Sequence, residues 1–137
     1  MLDAVLIYFD GGARGNPGPA AIGALVFDAS QAPPRRLATV SERIGETTNN
    51  VAEYRALIAG LEAAATTPAR VARVRGDSKL VIEQVAGRWK VKQAHLKPLH
   101  EYACKLLEPY EEVDLAHVRR EQNAEADALV NAALDLP

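Results

Sequence analysis

The chain has very little of what marks secreted, membrane-spanning or cysteine-rich metal proteins. A single cysteine, Cys104, stands among 137 residues, so it can form neither an internal disulfide nor a cysteine-type metal site. No apolar run approaches the ~20 residues that cross a bilayer, and the apolar stretch at residues 4–9 stops at Asp10. The first residues lack the basic start and the long apolar region of a secretory signal. We therefore expect a reduced, cytoplasmic protein with no membrane partner.

The composition is typical of a folded globular protein. Hydrophobic residues make up 48% of the chain and charged residues 25%, which argues against disorder, a collagen-like repeat and a coiled coil. A length of 137 residues is close to the commonest domain size, so one domain over residues 1–137 is predicted.

The charges are unevenly placed along the chain. The formal net charge of −2 gives by itself no reason to expect a polyanionic partner. However, residues 79–106 hold six basic and two acidic side chains, whereas residues 107–137 hold two basic and eight acidic ones. The basic segment fits either a solvated helical face or a phosphate-binding surface.

The first third of the chain predicts three strands. Residues 4–9 form an apolar, β-branched and aromatic run, and residues 21–27 and 37–44 follow as further strands. Residues 11–19, between the first two, are too rich in glycine and proline for a helix or a central strand. Short turns between the three strands predict an antiparallel meander.

The hydrophobic period changes after residue 50 and predicts helices alternating with strands. A helix begins near Val51, with Thr48 or Asn49 as its N-cap, and a strand at residues 71–74 follows. Further elements are predicted as a Ser78-capped helix at 80–86, a helix at 96–107, a strand at 113–118 and an Asn123-capped helix to residue 134. This order predicts an α/β fold with a mixed five-stranded sheet covered by helices.

Four acidic residues occupy unusual places. Asp10 ends the first strand, Asp77 follows the fourth, and Glu53 and Asp127 lie in the first turns of helices. Singly, each has a structural explanation: the helix macrodipole favours acids at helix starts, and Asp77 fits a strand-to-helix turn. Asp10 is the hardest to explain structurally, because a carboxylate at the end of a core strand is costly to desolvate without a compensating cation.

Taken together, the four acids predict a metal site. In an open sheet with helical crossovers, strand ends and helix starts gather at one edge, where ligands bind. Carboxylates collected there repel one another, and a divalent cation removes that conflict. Hard oxygen ligands favour Mg²⁺ or Mn²⁺ over zinc. Two such ions about 3.5–4 Å apart would form a clamp for in-line displacement at phosphorus.

Five segments, in this order, resemble the type 1 ribonuclease H family. They are FDGGARGNPGPAAIG (9–23), ETTNNVAEYRALIAGL (46–61), GDSKLV (76–81), GRWKVK (87–92) and HVRREQNAEADALVN (117–131). The resemblance implies a sheet of strand order 3-2-1-4-5. It also implies magnesium-dependent endonucleolytic cleavage of the RNA strand of RNA–DNA hybrids, leaving 5′-phosphate and 3′-hydroxyl ends.

The same resemblance implies roles for the four acids. Asp10 would bridge two Mg²⁺ ions, with Mn²⁺ as a possible substitute. Glu53 would hold the ion nearer the leaving 3′ oxygen, Asp77 would lie near the attacking water, and Asp127 would complete that ion's shell.

Further residues match the family's substrate contacts. Asn16, Asn49 and Asn50 match positions that touch the minor groove, where 2′-hydroxyls distinguish RNA from DNA. Thr48 matches part of a pocket for a DNA-strand phosphate. Trp89, the only tryptophan, matches the aromatic along the DNA sugar, and it stands between Arg88 and Lys90. Ser78 is included as a neighbour of Asp77, although a helix cap explains it first.

Two departures from the family pattern are evident. Many relatives carry a histidine in a flexible loop shortly before the last aspartate, whereas residues 118–127 contain none. Arg119, Arg120 or Glu121 could take its place, and we expect His117, which falls within the strand pattern, to be structural. The basic protrusion after Trp89 is also reduced, which predicts weaker hybrid binding or a need for a partner domain.

Three other functions compete with hybrid cleavage. One is a module that binds hybrid without cutting it, and another is the same chemistry on double-stranded RNA. The third is a nucleotide-binding protein using residues 11–19 as a phosphate loop, which the absence of G-x-x-x-x-G-K-[ST] disfavours. We expect a monomer, or one domain of a larger protein.

Overall fold

The computed structural model describes residues 1–137 and contains five strands and four α-helices. The strands are β1 (Leu2–Ala13), β2 (Gly18–Asp28), β3 (Arg35–Thr47), β4 (Ala69–Gly76) and β5 (Glu112–His117). The helices are α1 (Asn49–Ala65), α2 (Lys79–Val85), α3 (Lys97–Leu107) and α4 (Ala124–Asp135). Short 3₁₀ turns, Ala94–Leu96 and Arg120–Asn123, precede α3 and α4.

The strands form one sheet of order β3-β2-β1-β4-β5. The pairs β1–β2 and β2–β3 are antiparallel, as the predicted meander requires, and β4 and β5 are added in parallel through helical crossovers. Asp10 lies opposite Gly23, and the parallel pairing of β1 with β4 ends one residue earlier, at Phe9 and Gly76. The predicted α/β class and strand order are confirmed.

The two faces of the sheet are covered unequally. Val5, Ile7 and Phe9 are fully buried, and they belong to the main core together with Leu57 and Leu61 of α1. Burying each such side chain contributes about 1.5–3 kcal/mol. On the other face, α4 buries a smaller cluster of Ala21, Val130 and Ala133.

The helix starts follow the predicted caps at α1 and α2. The hydroxyl of Thr48 accepts a hydrogen bond from the Val51 amide at 3.3 Å, and that of Ser78 accepts one from the Val81 amide at 3.3 Å. Asn123 stands at the predicted N-cap position of α4, but the expected capping bond is absent. Its side chain makes no cap bond and instead donates from Nδ2 to the Phe9 carbonyl at 2.8 Å.

The prediction that residues 11–19 contain no central strand is also wrong. β1 continues to Ala13 and β2 begins at Gly18, so the connection between them is only residues 14–17. Gly11, Gly12 and Ala13 pair with Ile22, Ala21 and Ala20. This antiparallel ladder satisfies the backbone and outweighs the low strand propensity of glycine.

None of the helices combines the length and the apolar character needed to cross a bilayer.

Candidate active site

Four separate elements bring the four acids to one end of the sheet. Asp10 lies in β1, Asp77 directly follows β4, Glu53 lies in α1, and Asp127 lies in the first turn of α4. All four line a single cavity of about 590 Å³. Asp10, Glu53 and Asp77 each place a carboxylate oxygen within 4.8 Å of the other two.

Gly11 allows Glu53 to come this close to β1. A Cβ atom at Gly11 would lie 2.2 Å from the carbonyl carbon and oxygen of Ala52, so only glycine permits α1 to lie against the strand here. The Gly11 amide then donates a hydrogen bond to Oε1 of Glu53 at 2.9 Å. The position of the Glu53 carboxylate is thus held by a hydrogen bond between residues 42 positions apart in the chain.

Gly23 has the same function on the opposite face of the sheet. A Cβ atom there would lie 2.6 Å from the carbonyl oxygen of Ala126 and 2.9 Å from Cβ of Leu129. The first turn of α4 therefore rests directly on β2, beside Asp10, and carries Asp127 into the cavity.

The carboxyls of Asp10 and Glu53 resist ionisation in the absence of a cation. Burial, and then the charges of Asp77 and Asp127, raise the pKa of Asp10 to about 8. Burial, and then the charge of Asp10, also raise the pKa of Glu53 well above its usual range, although the Gly11 amide opposes this shift. A divalent cation would reverse both effects, and a set of carboxylate oxygens alone suits Mg²⁺ or Mn²⁺.

Three arginines and a histidine stand around the acids. Arg14, Arg119, Arg120 and His117 line the same cavity. Arg120 lies 3.5 Å from Asp127, whereas Arg119 pairs with Glu121 at 3.4 Å and Arg14 with Asp135 at 2.7 Å. His117 is the last residue of β5, in agreement with the predicted strand pattern. It is exposed at the end of β5 and faces the cavity, which the strand pattern did not indicate.

The predicted minor-groove residues form a connected corner beside the acids. Oδ1 of Asn16 accepts from the Asn49 amide at 3.0 Å, and Oδ1 of Asn49 accepts from the Ala13 amide at 2.8 Å. Asn49 also lines the acidic cavity, whereas Asn50 is partly buried in the first turn of α1. The hydroxyl of Thr48 serves as the cap of α1.

The basic residues surround a second cavity, of about 400 Å³, between α2 and the segment that follows it. Trp89 is 44% exposed there, with Nζ of Lys79 6.0 Å from its ring centroid. Lys90 is exposed and has no ion-pair partner, whereas Arg88 binds both carboxylate oxygens of Glu83, at 2.7 and 2.8 Å. Ser78 serves as the cap of α2 rather than facing this cavity.

The chain is similar in sequence to a known family and to several known proteins. A family described as reverse transcriptase-like matches residues 8–133. The bifunctional protein Rv2228c of Mycobacterium tuberculosis is 48% identical over 131 residues, which is 96% of this chain and 35% of that protein. Ribonuclease HI of Halobacterium salinarum is 44% identical over 128 residues, 93% of this chain and 63% of the relative. The chain thus spans about a third of the mycobacterial relative and under two thirds of the archaeal one.

Solved structures share the fold closely. RNase H1 of H. salinarum superposes with a TM-score of 0.89 at 43% identity, covering 96% of this chain and 98% of that one. LC11-RNase H1, isolated from compost by a metagenomic approach, has been solved with an RNA/DNA hybrid. It gives a TM-score of 0.86 at 42% identity, over 96% of both chains.

Proposed function

This chain belongs to the ribonuclease H family, and we propose that it is an endonuclease that hydrolyses the RNA strand of RNA–DNA hybrids. The proposal rests mainly on one observation: four separate parts of the fold place acidic side chains in the same cavity. These are Asp10, Glu53, Asp77 and Asp127. The relative solved with an RNA/DNA hybrid supports the choice of substrate.

The carboxylates would hold two Mg²⁺ ions, for which Mn²⁺ could substitute. Asp10 would be shared by both ions, Glu53 would serve the one nearer the leaving 3′ oxygen, and Asp77 and Asp127 the other. When bound, such a pair of ions supplies an activated water and stabilises the charge on the leaving oxygen. Asp10 and Glu53 fit this ligand role, because burial and the neighbouring acids raise the pKa of each when no cation is bound.

The protein's own side chains would position the hybrid. Asn16 and Asn49 lie beside the acids and offer amides to the minor groove, with Asn50 and Thr48 next to them. Trp89, Lys90 and Arg88 would meet the DNA strand at the second cavity. Cleavage would leave 5′-phosphate and 3′-hydroxyl ends.

Arg120 is the best placed substitute for the missing loop histidine. Its guanidinium lies 3.5 Å from Asp127, at the cavity rim, and its side chain is 77% exposed. It is therefore free to move toward a phosphate.

We extend the proposal to the organisation of the protein. Residues 1–137 would form a single domain, acting as a monomer or as part of a longer protein. It would work in the cytoplasm, where the lone Cys104 would stay reduced.

Cleavage of matched duplexes tests the proposed function. Labelled RNA–DNA, RNA–RNA and DNA–DNA duplexes are incubated with Mg²⁺, Mn²⁺ or a chelator. We expect cleavage of the RNA strand of the hybrid with either metal and none with chelator. Binding of hybrid without cleavage would identify a non-cutting module, and equal rates on RNA–RNA would change the substrate.

A further inference from the structure

The segment that carries Trp89 has no regular secondary structure, and the end of α2 fixes its start. Residues 88–93 lie outside any helix or strand. The carbonyl of Glu83 accepts hydrogen bonds from the amides of both Arg88 and Trp89, at 3.0 and 3.1 Å. Gly87 reverses the chain with a φ of +81°, a conformation that favours glycine.

Gln84 lies beneath this segment and is 2% exposed. Its Nε2 donates to the Lys90 carbonyl at 3.5 Å, the only side-chain hydrogen bond to the main chain of residues 88–92. The main-chain carbonyl oxygen of Gln84 accepts a hydrogen bond from the Gly87 amide at 3.1 Å and lies 3.0 Å from Nε2 of His100. At 3.5 Å this hydrogen bond is long and therefore weak by itself, so the orientation of its donor matters.

Tyr54 holds that donor in place. Its hydroxyl donates to Oε1 of Gln84 at 2.6 Å, and the tyrosine is completely buried. With Oε1 engaged in this way, the amide is oriented so that Nε2 faces Lys90. Burial makes both partners costly to leave unpaired, so the arrangement resists rotation of the amide.

The hydrogen bonds from Tyr54 to Gln84 and from Gln84 to Lys90, here called the bridge, connect the acidic cavity with the Trp89 segment. Tyr54 directly follows Glu53 on α1, and Lys90 directly follows Trp89. We propose that Gln84 is a positioning residue: clamped by Tyr54, it fixes residues 88–90 against α1 so that Trp89 and the acids engage one hybrid together. The inference rests on the proposed function and adds a specific determinant of substrate affinity to it.

The fluorescence of Trp89 tests the bridge without any substrate. Trp89 is the only tryptophan, so acrylamide quenching reports on this segment alone. We expect Tyr54→Phe and Gln84→Leu each to increase the quenching of Trp89 in the folded protein. Tyr102→Phe is the matched control, because it removes a tyrosine hydroxyl that bonds to exposed Glu62 at 2.8 Å, and its quenching should stay at the wild-type value.

Kinetics then separate positioning from simple stabilisation. We expect Tyr54→Phe to raise KM for the hybrid about fivefold to tenfold while kcat stays within about twofold, since ground-state contacts are affected and the acids are not. In a Trp89→Ala background the same change should have little further effect on KM, because the side chain that the bridge positions is absent.

Two results would overturn the inference. One is wild-type quenching and KM in folded Tyr54→Phe and Gln84→Leu, even if both unfold more easily. The other is an effect of Tyr54→Phe on KM that persists undiminished without Trp89. A wild-type protein that neither binds nor cleaves hybrid would refute the proposed function instead, and the quenching comparison would still decide whether Gln84 holds the segment.

Discussion

The main-chain amide of Gly11 donates to Oε1 of Glu53 at 2.9 Å, across a contact that no residue larger than glycine would allow. The same glycine follows Asp10, so this one position sets the distance between two of the buried acids. The geometry of the cluster therefore depends on a residue that has no side chain of its own.

Gly11→Ala should greatly reduce activity. The new Cβ would lie 2.2 Å from Ala52, which forces α1 away from β1 and costs about 1–3 kcal/mol of stability. A displacement of Glu53 by ~1 Å would lower kcat about 10²-fold. Gly12→Ala is the control, because its Cβ would meet Val130 at an ordinary 3.7 Å. Equal activity of the two variants, measured on hybrid with Mg²⁺, would contradict this account.

Asp10→Asn should abolish turnover and leave hybrid binding nearly intact. Asp10 is 7% exposed and lies close enough to Asp77 and Asp127 for their charges to interact, so loss of its charge removes several kcal/mol of transition-state stabilisation, about 10³-fold in rate. Single-turnover cleavage and filter binding separate the two effects. Asp114→Asn, which changes an exposed acid paired with Arg75, should cleave normally. Retained activity in Asp10→Asn would remove Asp10 from the catalytic set.

Without metal, stability should fall as the pH rises. Asp10 has a folded pKa of about 8 and an unfolded pKa near ~3.9, so the folded state binds more protons between these values. The stabilisation is complete below pH ~4 and is lost as the pH passes through 8. Glu53, whose pKa is also raised, acts in the same direction. Urea unfolding in chelator at pH 5 and pH 8 measures the difference.

One variant and the addition of Mg²⁺ extend the pH experiment. Asp10→Asn should flatten the profile and make the metal-free protein more stable than wild type at pH 8, because the buried charge is gone. Added Mg²⁺ should stabilise the wild type more at pH 8 than at pH 5, since protons compete for the same oxygens. A metal-free profile that rises with pH would show that the acids are not crowded in solution.

Lys90→Ala and Arg88→Ala should differ in the salt dependence of hybrid binding. Lys90 has no ion-pair partner, so its removal should lower the slope of log K against log salt by about 0.7–0.9. Arg88 is already neutralised by Glu83, at 2.7 and 2.8 Å, so its removal should change the slope less. Equal changes in slope would mean that Arg88 leaves Glu83 to bind phosphate.

Arg120→Ala should lower kcat by about tenfold or more, as expected when a cation that offsets charge in the transition state is lost. Arg119→Ala is the matched control, because Arg119 pairs with Glu121 rather than with an acid of the cluster. Steady-state kinetics at saturating hybrid measure both. Normal turnover in Arg120→Ala would exclude this residue as the substitute for the missing histidine.

The hydrophobic pattern was sufficient to predict the order of the elements and the sheet. Strands that alternate first with turns and then with helices leave few topologies, and acids at strand ends and helix starts converge by geometry. Thr48 and Ser78 were predictable as caps because capping is decided within three residues. These features depend on local spacing, which a single sequence displays directly.

Where the structure departs from the sequence-based expectations, contacts between distant residues are the cause. Gly12 lies in a strand because Ala21 pairs with it, and Asn123 turns from its own helix to the carbonyl of Phe9, 114 residues away. His117 reaches the cavity only because β5 ends beside β4. None of these partners follows from the period of the hydrophobic residues.

The acids come from positions 10, 53, 77 and 127, and the last of them is carried by the final helix. A chain emerging from a ribosome completes its sheet before α4 is available, and until then it holds three carboxylates and an uncovered strand surface around Gly23. The four acids therefore come together only after α4 has been synthesised and has packed against β2.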